Sequence, residues 1–235
     1  MNASSAAVNV VLVHGAFADG SGWRPVYDLL AQDGYHVAVV QNPTVSLQGD
    51  VAATRLIIDA QDGPVVLVGH SYGGAVITEA GTHPNVAALI YISAFAPDKD
   101  ESVKTLISGF PADTPQMPGL PPRDGFIFQD PAKFHASFGA DLPAGLAAFM
   151  VDSEVPLGRG RCRRDGHRSR LADQAELVHD RHRGPGDPPS GPAHHVPAGR
   201  VDRSGSGGQS RRLHHEPGPV ADLIKQAASA VAAQQ

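Results

Sequence analysis

An α/β fold organised around a parallel sheet is predicted by three observations. Four short runs, "VNVVLV" (8–13), "YHVAVV" (35–40), "PVVLV" (64–68) and "VAALIYISAF" (86–95), are near-continuously apolar, the pattern of strands covered on both faces. Segments with helical apolar spacing alternate with them. The 235 residues, 41% of them hydrophobic, suit one sizeable domain rather than two.

Each element has a local reason. "VNVVLV" is too short and too β-branched for a helix, and "HGAFADGSGW" after it is a glycine-punctuated loop. "RPVYDLLAQDG" places apolar residues at helical spacing and stops at Gly34. After "YHVAVV" comes the turn-rich link "NPTVSLQGD", then a helix over "VAATRLIIDAQ" with Val51, Leu56, Ile57 and Ala60 assigned to one face. A helix from Tyr72 to Ala80 follows the third strand. Residues 96–156 break into pieces marked by Pro and Gly, the pattern of short helices forming a lid. Phe126, Phe128, Phe134, Phe138, Phe149 and Met150 supply its apolar surface, for a substrate pocket or for plain core. "VADLIKQAASAVAA" (220–233) is an amphipathic terminal helix.

The formal net charge of -5, with no long block of one sign, argues against a nucleic-acid or membrane-surface protein. No apolar run is long enough to span a membrane, the start lacks a basic leader, and the lone Cys162 excludes an internal disulfide framework. A cytoplasmic location is therefore expected. The totals conceal an asymmetry: residues 158–216 hold 12 of the 15 arginines and 7 of the 12 histidines. That segment carries +5 and the remainder -10, and no Phe, Trp or Tyr follows Met150.

The chemistry is concentrated in "VVLVGHSYGGAV" (65–76). Gly69-His70-Ser71-Tyr72-Gly73 fits G-x-S-x-G, in which a serine on a tight strand-to-helix turn presents its hydroxyl above the sheet. The pentapeptide alone is a weak signal, but strand, turn and helix all surround it here. Ser71 is the candidate nucleophile, and the N–H of Tyr72 at the helix N-terminus can face a developing oxyanion. A second donor is expected from the loop "VLVHGAF", where Gly15 permits the turn and Ala16, rather than Phe17, offers its N–H. His14 and His70 read as hydrogen-bonded or packed anchors of these turns rather than as bases.

"VVLVHGAFADGSGW", "VVLVGHSYGG" and "LIYISAFAPD" resemble the α/β-hydrolase superfamily, in particular its branch of small lidded esterases, which includes plant methylesterases, hydroxynitrile lyases and bacterial carboxylesterases. The likeness covers about residues 8–157 and returns in "PGPVADLIKQ". It implies a mostly parallel sheet flanked by helices, with a lid after the fourth strand. It also implies that a serine attacks an ester carbonyl while a histidine acts as base and an aspartate after a later strand orients that histidine.

Ser71 carries over directly, whereas the acid and base should lie on two more strands within 158–216. That segment reads instead as "GRGRCRRDGHRSR" and "HRGPGDPPSGPAHHVPAGR", with no core strand. A metal site from His179, His182, His194 and His195 matches no standard spacing, and the arginines lack interleaved aromatics for RNA. A disordered Arg-rich stretch is one reading. A shifted reading frame is the better one. Back-translation one frame away permits "KPSWYMIATEDRVIPP" from Gln174 to Pro189 and "GSHAVYI" from Gly208 to His214. Frame would be lost near Leu157 and regained near His215–Pro217, with the aspartate encoded across Gly184–Pro185 and the histidine across Ser210–Arg211. In the chain as written, the substitutes are Asp98 as acid and His214 or His215 as base.

The sequence therefore predicts a serine carboxylesterase acting on small or medium esters through an acyl-enzyme on Ser71, without metal or cofactor. Its partner is a small-molecule ester, not nucleic acid or membrane, and the oligomeric state is left open. The alternatives are a hydroxynitrile-lyase-type enzyme on the same scaffold and a catalytically impaired hydrolase-like protein.

Overall fold

A computed structural model describes residues 8–98, 100–111, 118–137, 142–159 and 216–234. Four parallel strands form the central sheet: β1 (Asn9–Val13), β2 (His36–Val40), β3 (Val65–His70) and β4 (Val86–Ile92), in the spatial order β2-β1-β3-β4. The chain starts in the middle, adds β2 on one side and then β3 and β4 on the other. Strand order thus reverses between β1 and β3, where the loops leaving the two carboxyl ends diverge and a ligand crevice forms in such sheets. Register sets the two loops side by side, since Val13 pairs with Gly69.

Strand alternation sorts the core onto two faces. Val10, Leu12, Val66, Val68 and Ile90 point to one face, covered by helix α1 (Arg24–Gln32) and the terminal helix, here numbered α7 (Pro217–Ala232), through Val26, Leu30, Ile224 and Ala228. Val11, Val13, Leu67 and Leu89 point to the other, covered by α2 (Leu47–Asp59) and α3 (Gly73–Ala80). The terminal helix thus completes a core begun by residue 8, although residues 160–215, outside the described set, separate it from the rest. Trp23, wholly buried in a 3-10 turn before α1, fills the same face.

After β4 the chain makes an excursion from the sheet over residues 96–156, which holds α4 (Val103–Ser108), α5 (Pro131–Ser137) and α6 (Ala144–Asp152), with a small antiparallel pair, β5 (Phe126–Ile127) and β6 (Leu157–Gly158), the latter at its end. A reciprocal capping box between Ser102 and Thr105 starts α4. Phe134, Leu142 and Ala147 form a separate small core with Met150 against it. Both Glu154 oxygens accept the N–H of Gln129 at 3.1 Å, and burial raises this carboxyl above its ordinary range. The excursion is fastened where it ends: Gly158 N–H donates to the Thr44 carbonyl at 2.7 Å and Thr44 Oγ1 donates to the Pro156 carbonyl at 2.8 Å.

Several boundaries differ from the sequence reading. The stretch expected to be a link contributes the first turn of α2, because the Ser46 side chain accepts the Gly49 N–H and caps the helix at Leu47. The buried stripe is Asp50, Val51, Thr54 and Ile58, at three- and four-residue spacing, while Leu56 is 69% exposed and Ala60 is also exposed. The fourth strand ends at Ile92, since Ser93 turns with φ +44. Tyr72 caps α3 rather than opening it, and the terminal helix begins at Pro217, three residues early. Phe134 is core, Phe126 and Phe128 are half-buried, Phe149 is 59% exposed and so not core, and Phe138 lies outside the described residues.

The corrected α2 face is testable. Ile58→Ala should lose about 2–5 kcal/mol of stability, whereas Leu56→Ser should stay within about 0.5 kcal/mol of wild type. Urea unfolding of both variants measures the contrast, and equal losses would restore the face that includes Leu56.

Candidate active site

All six β3 residues are buried, and the chain then turns at Ser71 with φ +54, a left-handed conformation that is uncommon for serine. Such a residue persists only when its surroundings over-determine it. The Ser71 carbonyl accepts N–H bonds from Gly74 at 3.1 Å and Phe95 at 3.0 Å, and its own N–H donates to the Ile92 carbonyl at 3.4 Å. The turn is therefore clamped between the start of α3 and the end of β4.

Glycine makes that clamp possible. A β-carbon at Gly73 would stand 2.6 Å from the Val13 carbonyl oxygen and 2.7 Å from that of His14. At Gly74 it would stand 2.3 Å from the Phe95 carbonyl oxygen. The first turn of α3 thus lies directly on the backbone leaving β1 and β4. From the opposite side Gly15 closes in: its β-carbon would be 2.9 Å from Ser71 Cβ and 3.4 Å from Ser71 Oγ. The β1 loop and the serine are in contact, which places Ala16, half-buried, one residue from Ser71. Phe17, the weaker donor candidate, is buried with φ +60.

Two histidines hold these turns. His14 is 3% exposed, and its Nε2 accepts the Asn42 N–H at 2.8 Å. That acceptor role leaves the proton on Nδ1, which donates to the Gly15 carbonyl at 2.8 Å. The Asn42 amide in turn donates to the His14 carbonyl at 3.1 Å. Burial pushes the His14 imidazole below its ordinary value, with the Gly15 carbonyl and then Asp19 opposing. His70, also buried, meets Trp23 edge to face with centroids 6.3 Å apart.

Tyr72 is 8% exposed, and its hydroxyl donates to Asp50 Oδ2 at 2.7 Å. Asp50 is wholly buried, and its Oδ1 accepts the Thr44 N–H at 2.7 Å. Burial raises this carboxyl above its ordinary range, with the Tyr72 hydroxyl and then the Thr44 N–H pulling back. Sequence reading missed Asp50 because it assigned that residue to a link. The Ser46 cap four positions upstream was the signal that could have placed it inside a helix. Of the substitute partners, Asp98 is exposed, and its N–H donates to Glu101 at 2.8 Å in the turn ahead of α4. His214 and His215 lie outside the described residues, as do the two out-of-frame segments and the histidines weighed for a metal.

A serine on a strained strand-to-helix turn, at the switch point of a parallel sheet, with a glycine loop pressed against it, defines a recognisable class. The chain belongs to the alpha/beta hydrolase family, whose pattern matches residues 10–224. It is 33% identical over 113 residues to a carbendazim hydrolyzing esterase of Nocardioides sp. (strain SG-4G), covering 42% of this chain and 47% of that protein. The described fold is similar to a pyrethroid hydrolase, PytH, with TM-score 0.51 and 26% identity, covering 59% of this chain and 64% of that one. Polyneuridine aldehyde esterase shares the fold with TM-score 0.54 at 19% identity, covering 65% of this chain and 70% of its own. The matches span less than half the length of the curated relatives. Among the described residues, no helix is long and apolar enough to cross a membrane.

Two outcomes follow from the packing. Gly73→Ala drives a methyl into two backbone carbonyls and should lose about 1–3 kcal/mol or more, seen as a lowered Tm with loss of any Ser71 reactivity. His14 titrates lower folded than unfolded, so its contribution is full above the ordinary value of 6.5 and lost as pH falls from there through the lower folded value. His14→Gln, which keeps an acceptor for the Asn42 N–H, should therefore flatten the fall in Tm between about pH 7.5 and pH 5.5.

Proposed function

We propose that the protein is a serine carboxylesterase cleaving esters of small or medium substrates through an acyl-enzyme on Ser71. The observation that carries this reading is the left-handed Ser71 turn with Gly15 packed so closely that a β-carbon there would stand 2.9 Å from Ser71 Cβ. In the reaction, Ser71 Oγ attacks the ester carbonyl carbon and its proton passes to a base. The carbonyl oxygen becomes an oxyanion held by the N–H groups of Tyr72 and Ala16. Collapse expels the alcohol, which takes up that proton, and water then releases the acid by the same route in reverse. The excursion over 96–156 serves as the lid, and the exposed Phe149 is a candidate for contact with an apolar substrate.

The base comes from outside the described residues. His14 cannot serve, because its Nε2 already accepts a buried N–H and its Nδ1 donates to a carbonyl. We place the triad histidine and aspartate in the shifted frame, across Ser210–Arg211 and Gly184–Pro185. The family match supports this reading, since it runs through both sides of the Arg-rich segment to residue 224. So does α7, which seats in the core with Ile224 wholly buried.

Peptide mass mapping of the purified protein over residues 150–220, paired with labelling by an alkyl fluorophosphonate, tests both parts. Peptides carrying the Trp-Tyr strand and the Gly-Ser-His loop should appear, with rapid labelling that Ser71→Ala abolishes along with ester hydrolysis. Arg- and His-rich peptides as written would mean a broken triad, and hydrolysis slower by about 10⁴-fold or more. Labelling that survives Ser71→Ala would remove Ser71 as nucleophile.

A further inference from the structure

Asp50 is a wholly buried carboxylate that the proposed reaction does not use. Its two oxygens face different parts of the molecule. Oδ2 accepts the Tyr72 hydroxyl at 2.7 Å, and Oδ1 accepts the Thr44 N–H at 2.7 Å. Thr44 is itself 1% exposed and left-handed, with φ +51. It holds the end of the excursion through its carbonyl, which accepts the Gly158 N–H, and through Oγ1, which donates to the Pro156 carbonyl. At Gly158 a β-carbon would stand 2.2 Å from the Val45 carbonyl oxygen, so this contact also admits only glycine.

A buried carboxylate is retained only where hydrogen bonds replace its hydration. Here those bonds join three segments far apart in sequence: the residue after Ser71, the loop between β2 and α2, and the root of the excursion. Tyr72 is the residue whose N–H is assigned to the oxyanion. The bond from its hydroxyl to Asp50 tethers Tyr72 to α2, and so restrains drift of the backbone segment whose N–H is assigned to the reacting oxygen. The phenol is long enough to reach the α2 carboxylate, which a smaller residue at this place would not do.

We infer that Asp50 is a positioning residue of the oxyanion site, acting through the Tyr72 hydroxyl and tying that site to the root of the excursion through Thr44. It touches no substrate. The inference rests on the reading of Ser71 as nucleophile and of Tyr72 as donor, and it adds a residue that neither the serine motif nor the family assignment supplies. A misaimed donor lowers the rate of the chemical step while leaving substrate affinity intact.

The test separates those quantities. Labelling of Ser71 by an alkyl fluorophosphonate is followed to saturation, giving a maximal rate and a half-saturating concentration. Tyr72→Phe, which removes only the hydroxyl, should lower the maximal rate about tenfold and shift the half-saturating concentration less than about twofold. Asp50→Ala should fall by a similar factor, and the double variant should be no slower than the worse single, because both cut one link. Asp50→Asn should recover most of the rate, since its carbonyl still accepts the Thr44 N–H and its amide can donate to the phenol oxygen.

Unchanged maximal rates in Tyr72→Phe and Asp50→Ala overturn the inference, as does a loss confined to the half-saturating concentration. If Asp50→Ala does not fold, Tyr72→Phe alone decides. If the wild-type protein does not label at all, the nucleophile reading fails separately. Hydrogen exchange at the Tyr72 amide then decides the positioning role: faster exchange in Tyr72→Phe supports the link, and unchanged exchange removes it.

Discussion

The architecture depends on the near-contact of three backbone segments around Ser71. Helix α3 starts against the carbonyls of Val13, His14 and Phe95, at distances that leave no room for a β-carbon at Gly73 or Gly74. Side chains cannot mediate such contacts, so the strand ends and the helix must meet main chain to main chain. That requirement fixes the register of β1 against β3, orients α3 across the sheet and forces Ser71 left-handed. Strain at Ser71, of order 1–3 kcal/mol for a residue in such a region, is balanced by three backbone hydrogen bonds to Gly74, Phe95 and Ile92. The Ser71 backbone is thus held by main chain from both α3 and the end of β4.

Around that point the rest is support at increasing distance. His14 and Asn42 lock the first loop to the end of β2, and Trp23 backs His70 from beneath. Asp50 and Thr44 then carry the connection to the excursion. His14, Asp50 and Thr44 are buried and bonded to backbone or hydroxyl partners, which makes those bonds costly to break singly. The same matching explains the tautomer of His14: with both ring nitrogens engaged by main chain, it serves the loop and is removed from proton transfer.

Much of this was legible in the sequence, for definable reasons. Four short, β-branched runs of Val, Leu and Ile read as strands, and the elements followed in the expected order, although β2 is only half-buried along most of its length. Ser71 was legible because its glycines are a steric demand written directly as residue type. Ala16 and Tyr72 were legible as candidates because they are one step from Gly15 and Ser71, although backbone donors leave no side-chain signature. Asp50 was not legible, since its partners Tyr72 and Thr44 are set by how α2 lies on α3, and a single capping serine moved that helix four residues. The α2 face was misread on spacing: Val51, Thr54 and Ile58 share the inward face at helical intervals, whereas Leu56, five residues from Val51, faces water. Asp98, offered as a substitute acid by its place near a strand end, is exposed, and its backbone joins a turn with Glu101.

The seating of α7 bears on how the gene can tolerate damage. Ile224, Ala227 and Ala228 cover the same apolar face as Val26 and Leu30, so a product ending before Pro217 would leave that face open to water and to proteases. A frame disturbed at Leu157 and restored ahead of Pro217 still delivers the covering helix. Under the proposed reading, the interval between those two points encodes the acid and base but none of the helix that covers the core.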